Sequence, residues 1–191
     1  MNKFLGFSLL ENLVAIFVLS IGVLGDIGLQ VHAIQSVRET RNHSMAISLA
    51  AELAEIVRGN KSIGIIKTGL NQSDNPYVGA FASPFTARIH SDCLSVDKAC
   101  PDATNVANAQ MTDWLVRVDT QLPGAKVVIC FDSEPFDVNG VPRWTCDYKG
   151  DIMVIKIGWT KSSTDRSKIG IEALDRALIP SIVSQFTAGS I

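Results

Sequence analysis

The sequence predicts an α+β protein in which one long N-terminal helix packs its second half on a small antiparallel sheet. Three observations lead there. From Phe7 to Val31 the chain is apolar, with Glu11 and Asp26 its only ionisable side chains. Ile34, Val37, Met45, Leu49, Leu53 and Ile56 then recur at helical spacing, with polar residues mostly between them. Beyond Gly59 come short strand-like runs broken by Gly, Pro and Asn.

The apolar run makes a helix of roughly 37 Å, enough to cross a hydrocarbon core of about 30 Å. Its length exceeds the h-region of a cleaved secretory signal, and no small-x-small site follows it. Lys3 precedes it and Arg38 and Arg41 follow, so positive charge alone does not orient it. An acid at the centre of a bilayer costs on the order of 2.5–3.5 kcal/mol and marks function, which singles out Glu11. The amphipathic half extends the helix to Arg58, roughly 78 Å in all, with Gly59-Asn60 as its C-cap. Gly22, Gly25 and Gly28 loosen its middle or offer a close-packing face.

Residues 60–100 read as loop with short strands around Ile63–Ile66 and Phe85–Ile89. Pro101-Asp102 opens a second helix. Its apolar face is Val106, Met111, Trp114, Leu115, Val118 and Leu122, and Pro123-Gly124 ends it. Strands follow at Lys126–Phe131, at Arg143–Lys149, where apolar and polar residues alternate, and at Asp151–Thr160, apolar on both faces at Ile152–Ile155. In the tail, Ile171, Leu174 and Leu178 fit a short helix stopped by Pro180, and Ile169–Leu174 equally fit an extension of the sheet.

Four cysteines, Cys93, Cys100, Cys130 and Cys146, all lie beyond the apolar run, which predicts two disulfides in an oxidising compartment. Cys130 and Cys146 flank a loop holding Asn139-Gly140, as in a hairpin with the cysteines across from one another. Cys93 and Cys100 then close a short loop, and the other two connectivities stay open.

After Gly59 there are 13 Lys/Arg against 14 Asp/Glu with no basic stripe, which excludes a nucleic-acid partner. His90, Asp92, Cys93 and Cys100 match no zinc spacing, and Asp132, Glu134, Asp137 and Asn139 before Gly140 lack the full calcium ligand set, so no metal is expected. His32 and His43 read as surface or packing residues of the long helix. No nucleophile elbow, P-loop, dinucleotide fingerprint or Cys/His dyad is present, so neither an enzyme nor a cofactor is expected.

Glu11 has a further reading. Cleavage between Gly6 and Phe7 would place an α-amine four residues before it, one helical turn away. That amine, or a neighbouring copy's, would neutralise the acid and fix register between packed helices.

Lys3, Gly6, Phe7, Ser8-Leu9-Leu10 and Glu11, followed by an apolar helix, resemble the N-terminus of type IV prepilins. The resemblance implies a leader over 1–6, cleavage after Gly6 by a prepilin peptidase, N-methylation of Phe7 and docking through Glu11. It further implies a membrane or filament-core segment over 7–31, an amphipathic half over 32–58 and a periplasmic head over 59–191. Leu19-Ser20-Ile21-Gly22-Val23-Leu24-Gly25, Leu53-Ala54-Glu55-Ile56-Val57-Arg58 and Ala109-Gln110-Met111-Thr112-Asp113-Trp114 are similar to the minor pilins of the PilV type. So is the order of Cys93 and Cys100 before the second helix, and Leu122-Pro123-Gly124 after it. Asp26 departs from that family, which usually carries a bulky apolar residue there. The implied partners are the prepilin peptidase, the major and other minor pilins, the inner-membrane assembly machinery and the lipid bilayer. The implied roles are pilus priming, adhesion and twitching motility. A minor pseudopilin of a type II secretion system shares the N-terminal device and is the alternative. An enzyme or sensor head on a plain signal anchor is the third reading, and Gly6, Phe7 and Glu11 argue against it.

Overall fold

The computed structural model describes residues 9–67, 75–85, 93, 99–163 and 174–189. The chain divides into two compact units, Met1–Arg41 and Asn42–Ile191. The first contains the start of helix α1 (Leu9–Gly59), and the second contains the rest of that helix with everything after it. Together a long N-terminal helix and a four-stranded antiparallel sheet make the protein α+β.

Within the second unit, α1 buries Ala46, Leu49, Ala50, Leu53, Ala54 and Val57, a stripe at steps of three and one. The expected face was centred slightly differently. Met45 and Ile56 sit at the margin of the core, while Ile34 and Val37, in the first unit, are exposed. The three alanines account for the rotation, because small side chains let the helix approach its neighbours closely.

Gly59 ends α1, and a one-turn helix α2 (Lys61–Gly64) follows with Ile63 buried. This corrects the strand expected at Ile63–Ile66: two isoleucines in a row signal burial, but the Asn60 carbonyl accepts from the Ile63 and Gly64 N–H groups, a helical pattern. Of Phe85–Ile89, residues 86–89 lie outside the described residues. The first strand is instead β1 (Gly79–Ala82).

Helix α3 (Ala103–Gln121) is capped by Asp102, whose carboxylate accepts from the Asn105 N–H at 2.8 Å. It buries Ala107, Met111, Trp114, Leu115 and Val118, the expected face with Val106 only half-buried. The turn at Pro123-Gly124 needs glycine, since Gly124 has φ +59° and a Cβ there would meet Thr160 Oγ1.

Strands β2 (Lys126–Phe131), β3 (Met153–Gly158) and β6 (Ile182–Phe186) complete the sheet in the order β1-β2-β3-β6. Cys130 pairs with Val154 and Ile129 with Ile155. Val127, Ile129, Phe131, Met153, Ile155 and Ile157 belong to the same core as α1 and α3. The alternate residues Val128, Cys130, Val154 and Lys156 are also buried, on the other face.

That second face is covered by the segment 132–152, which corrects the strand expected at Arg143–Lys149. The segment makes no sheet ladder: its one bridge joins Phe136 to Pro142, and β2 pairs with β1 and β3 instead. Its alternation does not track burial: Arg143, Trp144, Cys146 and Asp147 are half-buried, while Thr145 and Tyr148 are exposed. Trp144 lies so near Gly158 that a Cβ there would come within 3.0 Å of the indole. Asn139-Gly140 does make a local turn, with Asp137 Oδ1 accepting from the Asn139 and Val141 N–H groups at 2.8 Å each.

A second, two-stranded sheet joins β4 (Lys161–Ser162) to β5 (Leu174–Asp175). The tail therefore carries sheet, not helix, at Leu174, and Leu178 is exposed. Residues 169, 170 and 171 lie outside the described residues. Strand β6 was not expected from the sequence; only its pairing with β3 reveals it.

Candidate functional site

The first unit holds an unusual surface. Leu10, Phe17 and Leu24 are 72%, 64% and 69% exposed, and the other large apolar side chains described between Leu9 and Val37 are exposed as well. A helix apolar on all sides needs a covering medium or partner along its whole circumference. α1 is long and apolar enough to cross a membrane.

Glu11 stands in the first turn of α1, exposed, and makes no hydrogen bond or ion pair among the described residues. Gly6 and Phe7 lie outside the described residues. Asp26 is half-answered within its own helix: Gln30 Nε2 donates to its Oδ2 at 3.0 Å, one turn on. The Ser20 hydroxyl likewise folds back on the Ile16 carbonyl at 2.7 Å. Nothing lies within 4 Å of where a side chain would project from Gly22, Gly25 or Gly28, leaving that flank open.

In the second unit Cys93 is joined to Cys100 and Cys130 to Cys146, with Cα atoms 4.9 and 6.4 Å apart. The latter pair is not a cross-strand hairpin pair, since Cys130 faces Val154 in the ladder and Cys146 arrives from the covering segment. The disulfide therefore fastens that segment onto the sheet.

A buried ion pair fastens it again. Lys156 Nζ donates to Asp132 Oδ2 at 2.5 Å and to the Thr145 carbonyl at 2.6 Å, and neither charged side chain is exposed. Asp132 Oδ1 also accepts from the Glu134 N–H at 3.1 Å. The sequence did carry a signal for this pair, a lysine between Ile155 and Ile157 in an otherwise apolar strand. Nearby, Asp147 accepts from the Ser133 hydroxyl and N–H and the Lys149 N–H, and the Ser133 hydroxyl foremost holds its carboxyl well below the usual range.

The members of the calcium-like cluster are each engaged: Asp132 by Lys156, Glu134 by Arg143 and Asp137 by backbone N–H groups. Cys130, Asp132 and Cys146 do converge, but both sulfurs are in the disulfide and neither is a thiolate ligand. His90 and Asp92 lie outside the described residues, and Cys93 and Cys100 are bonded to each other. His43 packs edge-on to Trp159, with ring centroids 6.3 Å apart; the side chain of His32 lies outside the described residues.

No curated protein and no solved structure matches the chain. Residues 1–25 match the family model of the prokaryotic N-terminal methylation motif. An exposed apolar helix that begins in such a motif makes the chain type IV pilin-like, with the N-terminus of a prepilin peptidase substrate.

Proposed function

We propose that the chain is a minor pilin of the PilV type that takes part in priming or joining a type IV pilus, and through it in adhesion or twitching motility. The observation that carries the reading is the N-terminal methylation motif at residues 1–25, set on a helix whose large apolar side chains are exposed from Leu9 to Leu29. Residues 1–6 are the leader. Hydrolysis of the Gly6–Phe7 amide by a prepilin peptidase leaves a carboxylate on Gly6 and a free amine on Phe7, which is then N-methylated. The amine stands one helical turn before Glu11, so it, or that of a neighbouring subunit, neutralises the carboxylate in apolar surroundings.

Residues 7–31 hold the subunit in the inner membrane until it passes into the filament, where neighbouring helices replace lipid as the cover. Residues 32–58 continue the helix towards the head, and residues 59–191 form that head in the periplasm. Disulfides Cys93–Cys100 and Cys130–Cys146 fit that oxidising compartment. The partners are the prepilin peptidase, the major and other minor pilins and the inner-membrane assembly machinery.

Intact mass and N-terminal sequencing of the protein from cells with and without the peptidase test the reading. The expected chain begins at N-methylated Phe7 only when the peptidase is present. A chain still beginning at Met1 in its presence overturns it. Recovery in sheared surface pili separates a pilin from a pseudopilin.

A further inference from the structure

A cavity of about 250 Å³ opens in the second unit where the end of β1, the Pro123-Gly124 turn and the segment after β5 meet. It is smaller than the roughly 300–1,000 Å³ of drug-sized sites, which suits a compact solute. Among the described residues its charged lining is cationic: Lys126 and Arg176 line it with no acidic side chain, and the rest is small, the hydroxyl residues Ser83 and Thr160 with Ala125 and Ala177 among the apolar ones.

Both cations are held at the cavity by backbone. Lys126 is the first residue of β2, fixed opposite Gly158 of β3. Ala177, next to Arg176, lies so close to Gly158 that a Cβ there would come within 2.6 Å of it. Absence of a side chain at Gly158 thus lets the segment bearing Arg176 close over the strand bearing Lys126.

Neither cation has an anionic partner among the described residues. Lys126 Nζ rests over the Trp144 ring, 4.4 Å from its centroid, and Arg176 makes no hydrogen bond or ion pair there. The lining residue Ser83 donates its hydroxyl to Asp119 at 2.5 Å. The unit as a whole is nearly neutral, so two exposed cationic residues lining one small cavity are a local departure that suits a bound anion. Arginine offers the planar fork that an oxyanion accepts, and lysine adds a point charge.

We propose that this cavity binds a small oxyanion, a carboxylate or a phosphate, between Lys126 and Arg176. The proposal stands apart from the pilin reading, since it uses only residues of the second unit. The test uses the full chain in a non-ionic detergent and chloride buffer, titrated separately with inorganic phosphate and with acetate. The indole N–H resonance of Trp144, assigned with Trp144→Phe, reports on the ring beneath Lys126. The expected result is a saturable shift with at least one of the two anions, the tighter one naming the class. Arg176→Gln is expected to weaken it at least tenfold while leaving the melting temperature unchanged. Lys126→Gln is expected to abolish the saturable change in that indole resonance. Lys149→Gln, which removes a cation elsewhere, is expected to leave binding intact. A shift that never saturates with either anion, or one that Arg176→Gln leaves unchanged or Lys149→Gln weakens equally, overturns the proposal.

Discussion

Trp114 of α3 donates its indole N–H to the main-chain carbonyl of Leu49 on α1 at 2.9 Å, across a contact closed to solvent. The bond spans 65 residues of sequence and ties α3 to α1 at one height. Trp114→Phe keeps an aromatic ring but removes the donor and leaves a gap, so a loss of about 2–3 kcal/mol is expected. Trp114→Ala should lose about 3–5 kcal/mol. Denaturant titration of the protein in detergent measures both, and a Trp114→Phe midpoint equal to the parent's would show that the bond contributes nothing net.

Lys156 and Asp132 depend on each other because both are fully buried. Lys156→Met strands the Asp132 carboxylate in the interior and should cost about 3–5 kcal/mol. Replacing both, as Lys156→Met with Asp132→Leu, should recover only part of this, because the Glu134 N–H then loses its acceptor as well. A double-mutant cycle on unfolding midpoints reads the coupling, and strict additivity would contradict it.

Cys146→Ser, paired with Cys130→Ser, frees the segment that covers the second sheet face. Closing a loop of 16 residues is worth about 3 kcal/mol in the chain-entropy account. The double variant should melt lower and be nicked by protease between residues 133 and 150. Mass spectrometry of the fragments locates the cut, and cleavage confined to other segments would count against this role.

Burial pushes the Tyr77 phenol up to about 12, against the ordinary value of 10.0, and the phenol bonds to Gln110 Oε1 at 2.6 Å. The sign follows from linkage. The unfolded chain ionises first, so this stabilisation is complete below pH 10 and is lost as pH rises towards 12. Tyr77→Phe should lower stability at neutral pH by about 0.5–1.5 kcal/mol and flatten the alkaline decline. Unfolding midpoints across the alkaline range, with phenolate absorbance, check both.

Glu11→Ala, on the reading proposed above, should insert into the membrane normally yet enter pili poorly. Fractionation reports the first and the composition of sheared pili the second. Unchanged pilus composition would remove Glu11 from subunit docking.

Elements with a strong local signature were legible in the chain itself. Asp102 and Pro123-Gly124 bracket α3 closely, and β2 runs from Lys126 to Phe131 as its residues suggest. The failures lie where one signal has two causes. Alternation at Arg143–Lys149 looks like that of a ladder strand, but the segment covers the sheet without a ladder and its burial does not follow the alternation. Ile182–Phe186 has no clean alternation, because its place as a strand beside β3 depends on a partner some thirty residues earlier.

The opening residues were determined by sequence alone. The residues that match the N-terminal methylation motif, 1–25, are consecutive, so the match depends on spacing along one chain. The structure adds only that the large apolar side chains of α1 described between Leu9 and Val37 are exposed and that Asp26 has Gln30 beside it. The head was decided by tertiary structure. Which strands neighbour β3, why Lys156 is tolerated in an apolar run, and how Lys126 and Arg176 come to share a cavity all depend on contacts between residues far apart in sequence. Burial free energy and hydrogen-bond satisfaction select among such contacts only once the elements pack together, and no local pattern of residues encodes that choice.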